Sequence, residues 1–251
     1  MGNLDGKVAL VTGSSRGIGR GIAERLARDG ALVAVHYGGN EVAARATATA
    51  ITDAGGRAFI VGAELGVPGD VDTLVAGLDA ELGESAIDIL VHNAGLNIMG
   101  RPIEALTPEE FDRMIAVNVR APFFLTQRLL PRLRDGGRII NVSSVSTRVA
   151  SAHGIAYPMT KGALDVFSHT LAKHLGPRGI TVNAVAVGFT HTDMTADVLA
   201  DPANVARNIG LTALGRIGRV PDIADAVAFL ASDDARWITG AKLDVTGGVN
   251  L

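Results

Sequence analysis

Glycines 13, 17 and 19 sit in the run Thr12-Gly13-Ser14-Ser15-Arg16-Gly17-Ile18-Gly19. The run follows an apolar, β-branched stretch and opens a helical one. In that setting, glycines so spaced bind the pyrophosphate of a dinucleotide. Gly13 permits the tight turn. Gly17 and Gly19 let the backbone approach the phosphates and let the helix pack on the strand. The phosphates then lie on the unpaired N–H groups of the helix N-terminus. A bare strand–helix turn needs neither three glycines nor an arginine, so a turn without a ligand is the weaker reading.

The end of the next apolar run selects the nucleotide. An acidic residue there would accept the 2′-hydroxyl of NAD. The residues are Val35-His36-Tyr37-Gly38-Gly39-Asn40, and Glu41 comes too late, inside the following helix. Arg16 supplies a cation in the glycine turn, as a 2′-phosphate requires, and His36 and Asn40 are candidates for further hydrogen bonds. The expectation is NADP(H) rather than NAD(H).

These residues need a rigid frame, and short β-branched runs alternate with longer helical stretches along the whole chain. Strands are expected over 7–12, 32–35, 58–61, 87–91, 138–142, 180–186 and 242–245. Helices are expected over 18–29, 41–53, 71–82, 108–133 with a kink at Pro122, 155–175 and 221–231. The strands are continuously apolar, which means burial on both faces. The alternation implies one α/β domain over residues 1–251: a Rossmann fold with a doubly wound parallel sheet of about seven strands and helices on both faces. Residues 188–220 carry little periodicity and read as an excursion over the sheet, a substrate lid.

Composition removes other chemistries. The 251 residues are 47% hydrophobic and carry a net charge of −3, which excludes a disordered chain. With no cysteine there is no disulfide scaffold and no thiolate nucleophile or metal ligand. The six histidines form no His-x-x-x-His pair, so no metal site is expected. Charges are dispersed and aromatics make up only 4%, which argues against nucleic-acid binding. No apolar run is long enough to span a membrane and no signal segment is evident, so the expected location is the cytoplasm.

Thr12–Gly19, Asn93-Ala94-Gly95, Asn118, Ser144, Tyr157 and Lys161 together resemble the classical short-chain dehydrogenase/reductases. The likeness extends from Lys7 to Gly248, and Ser144 precedes Tyr157 by thirteen residues. Within that family the chain looks most like the 3-oxoacyl-carrier-protein reductases and related ketoreductases. The resemblance implies a catalytic set of Asn118, Ser144, Tyr157 and Lys161. Tyr157 and Lys161, four apart, share one helix face. Lys161 is expected to lower the phenol pKa of Tyr157, which acts as general acid in reduction. Ser144 would bond the substrate oxygen, and Asn118 would organise a water relay beyond Lys161. Implied cofactor contacts are Gly13, Ser15, Arg16, Gly17, Ile18, Gly19, His36, Asn40, Glu64, Leu65, Asn93, Ala94, Gly95, Tyr157, Lys161, Gly188, Thr190 and Thr192. The chain departs from the family pattern at Glu64-Leu65, His92, Val187 and His191.

The expected activity is NADPH-dependent reduction of a ketone, a β-keto thioester or polyketide-type ketone, with Tyr157 as proton donor. The alternatives are an alcohol or sugar dehydrogenase working oxidatively, and a non-catalytic NADP(H) sensor, which would need no proton donor. Residues 96–99, 145–153 and the loop after Gly188 are expected to wall the substrate pocket, with Arg148 and His153 as its polar members. Arg132, Arg134, Arg138 and Arg178 are candidates for docking an acidic acyl carrier protein. The resemblance also implies a homotetramer paired through 108–133 and 155–175.

Overall fold

The computed structural model describes residues 4–98, 101–150 and 154–251. The elements run β1 (Val8–Val11), α1 (Gly17–Arg28), β2 (Leu32–Tyr37), α2 (Glu41–Asp53), β3 (Arg57–Gly62), α3 (Asp70–Leu82) and β4 (Ile87–His92). They continue with α4 (Pro108–Ile115), α5 (Ala121–Leu129), β5 (Leu133–Ser144), α6 (Ala156–Leu175), β6 (Thr181–Val187), α7 (Ala196–Leu199), α8 (Pro202–Gly210), α9 (Val220–Ala231) and β7 (Lys242–Val245). The strands form one parallel seven-stranded sheet in the order β3-β2-β1-β4-β5-β6-β7. The order reverses between β1 and β4, and the carboxyl ends flanking such a reversal form a ligand crevice. Thr12 and Asn93 stand at those two ends.

Alternate strand residues feed two cores. Val11, Val35, Val91, Val142 and Val185 pack under Ile22, Leu26, Ile223 and Val227 of α1 and α9. Leu10, Ala34, Leu90, Ile139 and Val182 face the other way, onto α3, α5 and Leu175 of α6. Burial on both faces is what the unbroken apolar strands predicted.

Two elements differ from expectation. The single kinked helix over 108–133 is α4 and α5 joined by a π turn at Ala116–Arg120. Pro122 has no N–H to offer the Asn118 carbonyl four residues earlier, and the Ala121 N–H bonds back to Ala116 instead. The excursion at 188–220 holds two short helices, α7 and α8. Asp201 caps α8 through the Ala203 N–H, ahead of Pro202. Gly218 fastens the segment by donating to Phe189 O and accepting from the His191 N–H, each at 2.9 Å.

His92 ends β4 fully buried, with Nε2 2.7 Å from Thr126 Oγ1. Burial pushes its pKa down to about 3. The folded state therefore holds the neutral ring, while the unfolded chain protonates near 6.5. Its stabilisation is complete above about pH 6.5 and is lost as pH falls toward the folded value, at up to ~1.4 kcal/mol per pH unit. Substitution His92→Asn removes this titration, so the acid-side decline of melting temperature becomes shallower. An unchanged slope would exclude His92 as its source.

Candidate active site

The glycine turn is held from below and from the side. Gly13 has φ +64°, and a Cβ there would meet Ala94 Cα at 2.9 Å. Thr12 Oγ1 accepts from the N–H groups of Asn93 and Ala94, both at 3.0 Å. Asn93 Nδ2 donates to Thr12 O at 2.9 Å and Gly13 O at 3.1 Å. Asn93 and Ala94 therefore brace the turn against β4. Ser15 is anchored through its carbonyl by Thr47 Oγ1 at 3.0 Å. The N-terminus of α1, which begins at Gly17-Ile18-Gly19, has no side-chain cap, so its first N–H groups remain for an anion. Thr192 stands beside Gly17, 3.8 Å from where its Cβ would be.

Four of the expected nucleotide contacts have partners of their own within the protein. The His36 ring lies buried beneath the turn, with Nδ1 accepting from the Gly13 N–H and Nε2 donating to Ala63 O, both at 2.9 Å. Neither nitrogen is left for a phosphate. Burial lowers its pKa to about 4, so the ring is neutral and serves as a prop for Gly13. Glu64 turns away to pair with Arg113 at 2.7 Å, and Leu65 enters the core. Asn40 spends its side-chain oxygen capping α2 through the Ala43 N–H. Arg16 remains 70% exposed, 4.0 Å from Asp193, a cation at the mouth of the turn.

The carboxyl end of β5 delivers Ser144, opposite Val187 of β6. Ser144 Oγ accepts from the Ser146 N–H at 3.1 Å and hydrogen-bonds the Tyr157 hydroxyl. One turn along α6, Lys161 Nζ donates to Val142 O at 2.8 Å and lies 5.6 Å from the Tyr157 ring centroid. A Cβ on Gly95 would lie 3.4 Å from that ammonium, so Gly95 forms its roof. Gly188 packs against Thr246, and Thr190 Oγ1 closes back on Gly188 O at 3.0 Å. Ser144, Tyr157 and Lys161 thus meet as expected.

The electrostatics differ from expectation. Burial pushes the Tyr157 phenol up to about 12, and the bond from Ser144 only partly offsets it. Burial also pulls Lys161 down to about 8, with the Asp165 charge opposing. Desolvation is the largest effect on both groups. Asn118 has protein partners that its spacing did not reveal. It is fully buried; Oδ1 takes the Leu96 N–H at 2.7 Å, and Nδ2 donates to Leu96 O at 2.8 Å and Thr160 Oγ1 at 3.0 Å. Its amide pins the loop after β4 to α6.

A pocket of about 110 Å³ opens beside Tyr157. Its wall is apolar, with Ile98, Ile103, Leu106, Phe111, Met114 and Met159, and Arg101 is the charged member. The sequence reading supplied Ile98 but missed the wall from 101–114. His153 and Met99 lie outside the described residues. Arg148 pairs with Asp244. No group of three or more acidic or histidine side chains among the described residues could hold a metal.

A family model described as "Enoyl-(Acyl carrier protein) reductase" matches residues 13–250. The chain is 43% identical over 250 residues to an uncharacterized oxidoreductase of Methylorubrum extorquens, covering 99% of this chain and 100% of that one. It is 39% identical over 257 residues to versicolorin reductase of Emericella nidulans, covering 98% and 96%. Among solved structures, the landomycin C-6 ketoreductase LanV with bound NADP and rabelomycin superposes with TM-score 0.90 at 54% identity, over 99% of this chain and 98% of that one. The reductase LugOII of lugdunomycin biosynthesis matches with TM-score 0.94 at 52% identity, over 99% and 100%. With a family model matched over residues 13–250 and relatives similar along nearly its whole length, the chain belongs to the short-chain dehydrogenase/reductase family.

Proposed function

We propose that the chain is an NADP(H)-dependent ketoreductase acting on an apolar, ring-bearing ketone of the polyketide type. The observation that carries this reading is the Tyr157 hydroxyl, bonded to Ser144 and set beside an apolar pocket. The uncapped α1 N-terminus and the glycines at 13 and 17 fit a pyrophosphate. The absence of an acid at the end of β2, with Arg16 exposed at the mouth, fits a 2′-phosphate.

NADPH held at the glycine turn and the α1 N-terminus would supply the hydride for the carbonyl carbon. Ser144 and Tyr157 orient the ketone oxygen, and Tyr157 delivers the proton as charge develops there. The Lys161 ammonium, roofed by Gly95, stabilises that charge from behind the phenol. Asn118 holds the loop that shapes the roof.

A carrier-bound substrate has no support from the arginines. Arg132 pairs with Asp79, Arg134 with Asp88, Arg138 with Asp233 and Arg178 with Asp135. They lie toward the start of β5, away from Ser144 at its end. A free small molecule fits better. The homotetramer remains an expectation, supported by exposed Phe123 and Phe124 on α5 and by Phe167 of α6, 5.6 Å from Phe123 between ring centroids. No described helix is long and apolar enough to cross a membrane; a cytoplasmic location is part of the same proposal.

The test is NADPH and NADH oxidation with a fused-ring aromatic ketone and with an acetoacetyl thioester. The fused-ring ketone with NADPH should win by about tenfold or more, since roughly 60 Å² of extra apolar burial at ~25 cal/mol/Å² gives that factor. A preference for the thioester would overturn the ring-ketone reading. Turnover only of alcohols with the oxidised cofactor would mean a dehydrogenase. NADPH binding with no turnover at all would mean a sensor.

A further inference from the structure

Lys161 is a buried cation, and one carboxylate on its helix has no part in the mechanism above. Asp165 lies one turn further along the same face of α6. Its Oδ2 accepts from Lys242 Nζ on β7 at 2.7 Å. Its Oδ1 is buried with no hydrogen-bond partner among the described residues. An unpaired buried carboxylate oxygen is costly unless its charge is used. Lys161 Nζ has one acceptor among the described residues, the Val142 carbonyl. A single neutral dipole does not balance a desolvated ammonium.

We propose that Asp165 is a positioning residue that keeps Lys161 protonated in the site, and that Lys242 sets how much of the Asp165 charge Lys161 feels. The functional half of this rests on the reductase reading; the electrostatic half does not. The other groups around the ammonium are few. Tyr157 on α6 is protonated, and the π turn offers Asn118. β5 offers the Val142 carbonyl, Ser143 and Ser144. β6 carries no charged residue. Arg148, after β5, is paired with Asp244, and Arg113 of α4 with Glu64. Lys242 also touches Thr147, whose Oγ1 bonds Ser144 O at 3.0 Å. The Asp165–Lys242 pair therefore also anchors the turn that follows Ser144. Burial pulls Lys161 down to about 8, and Asp165 is the one charge that resists.

The chain has four lysines, at 7, 161, 173 and 242. A ¹³C titration of lysine ε-carbons in the cofactor-free protein therefore resolves Lys161 directly, with Lys161→Met as the assignment variant. Substitution Asp165→Asn keeps the side-chain shape and deletes the charge. The Lys161 midpoint should fall by about one unit, as expected for loss of a neighbouring opposite charge. Substitution Lys242→Met releases the Asp165 carboxylate from its competitor, and the midpoint should rise. The alkaline limb of kcat/KM for ketone reduction should move in the same two directions. A purely structural role would lower the melting temperature and leave the midpoint in place. An unmoved midpoint in folded Asp165→Asn, or a downward one in Lys242→Met, overturns the proposal. If Asp165→Asn does not fold, the direction in Lys242→Met decides alone. Opposite shifts in a protein that reduces no ketone would uphold the role of Asp165 and sink the reductase reading instead.

Discussion

Substitution Tyr157→Phe should lower ketone turnover about a thousandfold while NADPH binding persists. The phenol is the acid of the site: burial holds it near 12, so it is protonated across the neutral range. Removing a positioned general acid costs about 10²–10⁴ in rate. The ring that lines the pocket and lies beside Lys161 remains, so the apolar wall and the ammonium keep their places. The lost hydroxyl was bonded to Ser144, a group that also holds the Ser146 N–H, so a folding loss of only about 0.5–1.5 kcal/mol is expected. Single-turnover rates and cofactor titration of the same preparation separate the two effects. Turnover within tenfold of the parent would move proton donation to another group. Loss of NADPH binding would mean that the tyrosine holds the cofactor more than it serves the chemistry.

The catalytic set was legible through the resemblance to the family, and spacing added only that Tyr157 and Lys161 share a helix face. The glycine turn was readable from the strand before it and the helix after it. What failed depends on the third dimension. His36 ends an apolar strand, where a sequence places it facing the crevice; only the fold shows its ring beneath Gly13, with both nitrogens taken. The Tyr157 shift was misjudged because spacing reveals the lysine but not the water that packing removes, and desolvation proved the larger effect. Asn118 sits in a π turn because Pro122 lacks an N–H. The proline was legible as a kink, but the partner that Asn118 reaches, Leu96, was not. Helix α8 is short and adds no buried residue to either core. The pair Asp201-Pro202, a cap followed by proline, was a signal that could have found it. The pocket wall from 101–114 was missed because the packing of α4 against α6 is a long-range contact that no local spacing shows.

The second large effect is expected from Gly19→Ala. Alanine favours helices over glycine by about 1 kcal/mol, so in an open helix this change would stabilise. At position 19 the added methyl would lie 2.3 Å from Gly13 O, 2.4 Å from Asn93 Nδ2 and 2.9 Å from Gly13 C. None of these is the free end of a flexible chain. Gly13 is held by Ala94 and by the His36 ring, and Asn93 by two hydrogen bonds to the turn. The methyl must therefore push α1 away from the turn. Overpacking of this kind costs about 1–3 kcal/mol, which exceeds the propensity gain. The displacement falls on the N–H groups that would hold a pyrophosphate, so NADPH affinity should drop by about tenfold or more, tenfold being ~1.4 kcal/mol. Gly162 of α6 is the matched control: a Cβ there meets nothing within 4 Å. Substitution Gly162→Ala should stabilise by about 0.4–1 kcal/mol with NADPH affinity unchanged. Calorimetric melting and cofactor titration of both variants decide the matter. If Gly19→Ala binds NADPH as tightly as the parent, then the close packing of helix on turn is not what shapes the phosphate site, and Gly17, with its positive φ of +57°, becomes the glycine on which binding turns.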